Sequence, residues 1–137
     1  MDGVNLTPLK QIHNPKGNVL HAMKKNDVGF NGFGEAYFST INQGDIKGWK
    51  KHTQMILNLI VPVGEIEFVI YNEELNKFFI TKLSKKNYQR LTIKAGLWLA
   101  FKGCNNHNML LNLGSIEHSP NEAINIDLKK IKYKWIG

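Results

Sequence analysis

The chain has 137 residues and a formal net charge of +7, which fits one domain with a real hydrophobic core and favours anionic partners. A single cysteine, Cys104, excludes an intramolecular disulfide framework and fits a reducing cytoplasm. The chain starts without a signal-peptide pattern, and its apolar runs are too short to span a bilayer, so we expect no export and no membrane partner. Because the lysines are dispersed, as on a solvated surface, we expect no nucleic-acid partner.

Short runs of β-type residues separated by turn residues dominate the chain and predict an all-β protein. Strands are predicted at residues 6–12, 18–24, 35–41, 55–61, 65–72, 77–83, 90–93, 97–102 and 109–113, enough for a sandwich or jelly-roll barrel. Short helices are predicted at 84–88, capped by Ser84, and after Ser119. The glycine-dense segment 28–34 lacks the ending of a phosphate-binding loop and is interpreted as a tight crossover with two packing aromatics.

The segment from Gly44 to Gly64 has the spacing of the first cupin motif, G-x5-H-x-H-x4-E-x6-G. Lys50 replaces its first histidine and Leu57 its glutamate, while His52 is retained. Residues 94–99 fit the second motif, P-x-G-x-x-H, with a leucine at the histidine position. Since three of the four usual metal ligands are replaced, we expect a barrel without a metal or another cofactor.

Five further matches occur in chain order, at residues 15–19, 46–50, 83–89, 93–97 and 118–122. With them the chain resembles the cupin-fold nucleotide-sugar family of dTDP-4-dehydrorhamnose 3,5-epimerase and the related dTDP-sugar ketoisomerases. The resemblance implies one cupin domain over residues 1–137, a double-stranded β-helix or jelly-roll barrel, that forms a homodimer and binds a nucleotide sugar in its mouth. In that family a histidine removes the proton next to a 4-keto group, a lysine steadies the enolate and a tyrosine returns the proton.

The family's catalytic residues are not retained at the matching positions. The base falls on Lys50, the enolate lysine at or next to Leu57 and the phosphate-binding arginine on Lys47, and no tyrosine lies within 111–118. The ketoisomerases carry H-x-H in this strand, of which His52 keeps the second histidine. Because alternate strand residues share a face, Lys50 and His52 are predicted side by side in the cavity.

Two catalytic roles are open for this pair. His52 is predicted to carry the proton while Lys50 contacts an enediolate or a phosphate; alternatively, Lys50 is itself the base. A purely structural histidine beside a surface lysine is the other interpretation. Eight further residues are predicted to contact the substrate, because they match nucleotide-binding positions of the family, adjoin one of the two motifs or follow the second motif. They are Lys16, His21, Lys47, Trp49, Trp98, Lys102, His107 and Asn112. For the two tryptophans, packing is the alternative role.

The sequence therefore predicts a cytoplasmic, metal-independent epimerase or isomerase of surface-polysaccharide (O-antigen) biosynthesis. Its substrate would be a dTDP- or UDP-linked 4-keto-6-deoxyhexose. The alternatives are a catalytically silent cupin that binds a nucleotide sugar or a partner enzyme, and a cupin with an unrelated anionic ligand. Enzymatic activity stays open because the family's histidine and tyrosine are replaced.

Overall fold

Two five-stranded antiparallel sheets form the body of the protein in the computed structural model, which describes residues 1–136. The strands are β1 (Val4–Pro8), β2 (Gln11–Ile12), β3 (Val19–Leu20), β4 (Glu35–Thr40), β5 (Ile46–His52), β6 (Leu57–Val63), β7 (Glu65–Asn72), β8 (Lys77–Ser84), β9 (Gln89–Ile93), β10 (Trp98–Gly103), β11 (Met109–Gly114) and β12 (Ala123–Asn125). Sheet I has the order β1-β9-β6-β11-β4 and sheet II the order β12-β5-β10-β7-β8, while β2 and β3 pair separately. The all-β jelly-roll prediction is confirmed.

Strand alternation places the main core between the two sheets. In β6, Leu57, Leu59 and Val61 face the core, whereas Asn58 faces away and bonds with residues on the outer side of sheet I. In β7, Phe68 and its neighbours two residues away face the same core from sheet II. The two inner faces interdigitate as in other sandwiches.

Several predicted elements differ in extent from the observed ones. The strand at 65–72 is correct, but the predicted strand 6–12 is divided into β1, which ends at Pro8, and β2, which pairs with β3. The predicted strand 18–24 is reduced to β3, and β5 was not among the predicted strands. Glycine, a tryptophan and three lysines hide the alternation of β5 in the sequence.

Both predicted helices are wrong. Residues 84–88 form a turn in which the Ser84 hydroxyl accepts from the Lys86 amide, and β9 begins at Gln89 before a helical turn can form. Glu122 donates its amide to the Ser119 carbonyl in a second turn, and the chain then enters β12. The one helical turn observed in residues 1–136 is a 3-10 turn at Leu128–Lys130.

Residues 21–30 cross the outer side of sheet I, held by the buried side chain of Arg90. Its guanidinium donates to the carbonyls of Ala22 and Val28, to the Asp27 carboxylate at 3.4 Å and to Asn58. The glycine-dense segment is a crossover loop, but Phe33 is 67% exposed, so the expectation that both aromatics pack was wrong. No helix within residues 1–136 is long and apolar enough to cross a bilayer.

The segment after β12 lies along the outer side of sheet II. Ile131, Tyr133 and Trp135 point towards the sheet and alternate with exposed lysines. They complete the outer aromatic cluster, which comprises Trp49, Tyr71, Phe78, Trp98, Tyr133 and Trp135. The cluster fixes the C-terminal segment beside β5, the strand that carries Lys50 and His52.

Candidate active site

A cavity of about 310 Å³ opens where the edge strand β4 of sheet I faces the β5–β12 edge of sheet II. Apolar side chains from β6 and β10 form much of its wall, and polar groups from β4, β5 and β11 converge on it. The lining residues are Tyr37, Ser39, Lys47, Gly48, Trp49, Lys50, His52, Leu57, Leu99, Phe101, Asn112, Asn125 and Ile126. An apolar cavity with a few convergent polar groups is typical of a small-molecule site.

A bulge in β5 shapes one wall of this cavity. Against β10, Leu99 is opposite Lys50 and Ala100 is opposite Gly48, so Trp49 is the extra residue. The backbone of Trp49 instead pairs with Ile126 through both its N–H and its carbonyl. A Cβ on Gly48 would lie 2.4 Å from the Ala100 Cβ, so only glycine permits this approach of the two strands.

His52 is paired with a carboxylate that lies 70 residues further along the chain. Its Nδ1 is 2.5 Å from Glu122 Oε1, and Glu122 Oε2 accepts the amides of Gln54 at 3.1 Å and Met55 at 2.8 Å. Burial alone would raise the Glu122 pKa, but the hydrogen bonds from His52 and from these amides outweigh it and lower the pKa to about 2. Glu122 is therefore ionised at neutral pH and fixes the imidazole.

This pairing determines which nitrogen of His52 is available to a ligand. A carboxylate only accepts, so Nδ1 carries the proton that it donates to Glu122, and Nε2 keeps a free lone pair. The His52 side chain is 14% exposed and lines the cavity. The arrangement is that of an oriented general base with a carboxylate behind it.

The lysines of β5 have different surroundings. Lys47 donates to the Thr40 carbonyl at 2.7 Å and so connects β5 to β4. The Lys51 ammonium lies on the outer side, 4.8 Å from the centre of the Trp98 ring. Lys50 lines the cavity, and within residues 1–136 its ammonium has no hydrogen-bond or ion-pair partner.

Tyr37 faces the cavity from β4, on the wall opposite β5. It is paired in register with Asn112 of β11, whose amide group donates to the Ser39 hydroxyl at 3.1 Å. Burial, and then the nearby Glu35 carboxylate, raise the pKa of Tyr37, so the phenol stays protonated at neutral pH. The sequence signal for Tyr37 was its place in a predicted strand, but the inward face of that strand could not be read from it.

The structure brings five of the predicted site residues together: Lys47, Trp49, Lys50, His52 and Asn112 line one cavity. The Trp49 indole is 1% exposed, donates to the Leu128 carbonyl at 3.1 Å and contacts Trp135. Its ring is therefore engaged in the outer aromatic cluster. Two residues of the site were missed by sequence reasoning, Tyr37 and Glu122, although Glu122 ends one of the motif matches.

The other five predicted contacts lie away from this cavity. Trp98 and Lys102 are on the outer side of sheet II, where the Lys102 ammonium donates to the Ile136 carbonyl. His107 is in the β10–β11 loop at the other end of β11, where it lines a shallow depression. Lys16 lies in the β2–β3 turn, and the His21 carbonyl accepts from the Tyr88 hydroxyl. Within residues 1–136, no three His, Cys, Asp or Glu side chains form a group that could hold a metal ion.

Several solved structures that share this fold are dTDP-sugar enzymes. A dTDP sugar isomerase from Desulfovibrio desulfuricans G20 is 29% identical with a TM-score of 0.92, covering 98% of this chain and 91% of that chain. The 3,4-ketoisomerase QdtA from Thermoanaerobacterium thermosaccharolyticum, solved with TDP-4-keto-6-deoxyglucose, is 20% identical with a TM-score of 0.79, covering 90% and 88%. The epimerase RmlC from Legionella pneumophila, solved with dTDP-4-keto-L-rhamnose, is 16% identical with a TM-score of 0.76, covering 91% and 78%.

No protein-family model and no curated protein matches the chain. The structural matches nevertheless cover nearly the whole of it. They confirm the cupin fold and the predicted structural resemblance to dTDP-sugar epimerases and ketoisomerases.

Proposed function

We propose that this cupin is a nucleotide-sugar epimerase or isomerase that moves a proton next to the keto group of a dTDP- or UDP-linked 4-keto-6-deoxyhexose. The observation that carries the proposal is the His52–Glu122 pair in the wall of the cavity, with Lys50 on the same strand and Tyr37 opposite. The cavity, at about 310 Å³, is at the small end of ligand pockets and suits one sugar ring, with the nucleotide outside. Surface-polysaccharide biosynthesis in the cytoplasm is the proposed setting.

The first chemical step is removal of a proton from the carbon beside the carbonyl. His52 Nε2 accepts this proton, and the Glu122 carboxylate stabilises the imidazolium that forms. Imidazole suits this step because it takes up and releases a proton near neutral pH. Of the two lysines that line the cavity, Lys50 has no partner within residues 1–136, so it is the cation proposed to act on the carbonyl oxygen.

The second step is return of a proton, and Tyr37 supplies it. Its phenol is protonated at neutral pH and projects from β4, whereas His52 projects from β5. A sugar held between β4 and β5 loses a proton from one face of a ring carbon and gains one on the other face. This inverts the configuration of that carbon. Tyr37 thus takes the role that the family gives to a tyrosine in the region of residues 111–118, where this chain has none.

The proposed ligand is anionic, and the cavity supports that choice. Lys47 and Lys50 are exposed at its mouth, and the chain carries a formal net charge of +7. The Lys47 ammonium uses one donor on the Thr40 carbonyl and has two more for a phosphate oxygen. The diphosphate is therefore proposed to lie across the outer end of β5.

We also propose a homodimer. The β2–β3 hairpin is exposed almost throughout, and its cross-strand pair Ile12 and Val19 is 40% and 52% exposed. A two-stranded hairpin is marginal by itself, so packing of this hairpin on a second copy would stabilise it. Lys16 at its turn would then reach a neighbouring site. Light scattering after gel filtration tests the dimer, and a monomeric mass at micromolar concentration would contradict it.

Deuterium exchange followed by NMR tests the chemistry. With dTDP-4-keto-6-deoxyglucose in deuterated buffer, the wild-type protein should catalyse exchange of the proton at C3 or C5 for deuterium. His52→Asn removes the base and should abolish the exchange, whereas the matched control His118→Asn changes an exposed histidine and should leave it intact. If dTDP raises the melting temperature but no exchange occurs, the protein is the silent binding cupin instead.

A further inference from the structure

Three lysines of β5 lie close together, and their surroundings single out Lys50. Lys47 is bonded to the Thr40 carbonyl and Lys51 lies over the Trp98 ring on the other side of the sheet. Lys50 alone among them lines the cavity without a hydrogen-bond or ion-pair partner from residues 1–136. Glu122, the carboxylate of the site, is bonded to His52 and to two backbone amides.

Of the two lysines that line the cavity, the proposed function assigns Lys47 to the diphosphate and leaves Lys50 for the carbonyl. Leu57, Leu99 and Phe101 line the wall between the polar residues, and the Asn112 amide group donates to protein oxygens. A base as weak as imidazole needs an electron sink at the carbonyl. A primary amine can provide one covalently, since an iminium carbon draws the C–H electrons without forming an oxyanion.

We propose that Lys50 forms a Schiff base with the C4 carbonyl of the sugar, and that His52 removes the proton from the neighbouring carbon of this iminium. This inference rests on the proposed function and specifies how its first step proceeds. Lys50 and His52 are two residues apart on one strand and line the same cavity, so the amine and the base reach adjacent sugar carbons.

The chemistry balances without an added oxidant or reductant. The Lys50 ammonium gives up a proton as Nζ attacks C4. That proton and a second one from the nitrogen leave with the carbonyl oxygen as water, so the C4=N bond keeps one N–H and the positive charge. His52 Nε2 takes the proton from C3 or C5, and the C–H electron pair forms a carbon–carbon double bond as the nitrogen becomes neutral. Protonation of the same carbon from the other face restores the iminium, and water releases the epimerised ketone and the lysine.

The Schiff base also decides between epimerisation and ketoisomerisation, the two reactions proposed for this protein. In a ketoisomerisation the proton would be added at C4 instead, which would leave C4 joined to Nζ as a secondary amine. Water does not cleave that bond, so the sugar would stay on the protein. A Schiff base at Lys50 therefore limits productive turnover to epimerisation at C3 or C5.

Borohydride trapping tests the inference directly. The protein is incubated with dTDP-4-keto-6-deoxyglucose, reduced with sodium borohydride and examined by intact mass and peptide mapping. We expect a mass increase equal to that of the nucleotide sugar less one oxygen atom, located on Lys50. Lys50→Arg keeps a positive charge but cannot form an imine, and should lose both the adduct and the deuterium exchange. The matched control Lys51→Arg, on the outer side of the sheet, should keep both.

The failure of this inference and that of the proposed function give different results. If the wild-type protein exchanges deuterium but no adduct forms on Lys50, and Lys50→Arg retains exchange, Lys50 acts only through its charge and the Schiff base is refuted. An adduct spread over several lysines also refutes it. If the wild-type protein shows neither exchange nor adduct, the enzymatic function itself fails together with the inference.

Discussion

Changing Glu122 to Gln tests the assignment of His52 as an oriented base. Glutamine keeps one oxygen for the amides of Gln54 and Met55, but its amide group becomes a donor towards Nδ1 of His52. Nδ1 must then accept, so the ring proton moves to Nε2 and the lone pair is lost from the nitrogen that serves as base. We expect deuterium exchange to slow by about 10²- to 10⁴-fold, since the analogous change in a serine-protease triad costs about 10⁴.

The same substitution has a calculable effect on acid stability. The pKa of Glu122 is about 2 in the folded protein, against an ordinary value of 4.5. Because the folded pKa is lowered, the stabilisation is complete above about pH 4.5 and is lost as the pH falls towards 2. A difference of about 2.5 pH units corresponds to about 3 kcal/mol, at about 1.36 kcal/mol per unit.

Urea unfolding followed by tryptophan fluorescence at a series of pH values measures this effect. The free energy of unfolding of the wild-type protein should approach that of Glu122→Gln by about 3 kcal/mol between pH 5 and pH 2. Glu117→Gln, which changes an exposed carboxylate of the same segment, should follow the wild-type curve. A difference between wild type and Glu122→Gln that does not vary with pH would refute the reasoning.

Three further substitutions test other parts of the structure. Tyr37→Phe should keep deuterium exchange but lower the yield of inverted product, as measured by NMR of the sugar; an unchanged yield would remove Tyr37 from the mechanism. Gly48→Ala should lower the free energy of unfolding by about 1–3 kcal/mol in urea titrations, because the new Cβ would meet Ala100 at 2.4 Å. Arg90→Ala should cost about 3–5 kcal/mol, since the fully buried guanidinium holds the 21–30 crossover, and a loss below 1 kcal/mol would argue against that anchor.

The sequence predicted that the segment of β5 borders the cavity, but it did not predict the local shape of this strand. The spacing from Gly44 to Gly64 predicted that Lys50 and His52 share a cavity, and both line it. The bulge at Trp49 was not predicted, because it depends on how closely Gly48 approaches Ala100 of another strand. Local sequence does not encode the distance between strands that are 50 residues apart.

Some of the substrate contacts predicted from the sequence line the cavity and others do not, for the same reason. Asn112 follows the alternation of β11 and lines the cavity, whereas Trp98 and Lys102 follow the alternation of β10 to its outer side. In both strands the pattern was regular, but only the assembled sandwich shows which face is inward. Lys16 and His21 belong to a hairpin and a crossover outside the two sheets.

The sequence by itself determined the all-β architecture, since turn residues and period-two alternation are local properties. It also determined the absence of the cupin metal ligands at their motif positions, because those positions are fixed by spacing. Only the tertiary structure decided that Glu122 pairs with His52 across 70 residues and that Tyr37 faces them. Such contacts arise from the packing of one sheet edge against the other, which no window of neighbouring residues contains.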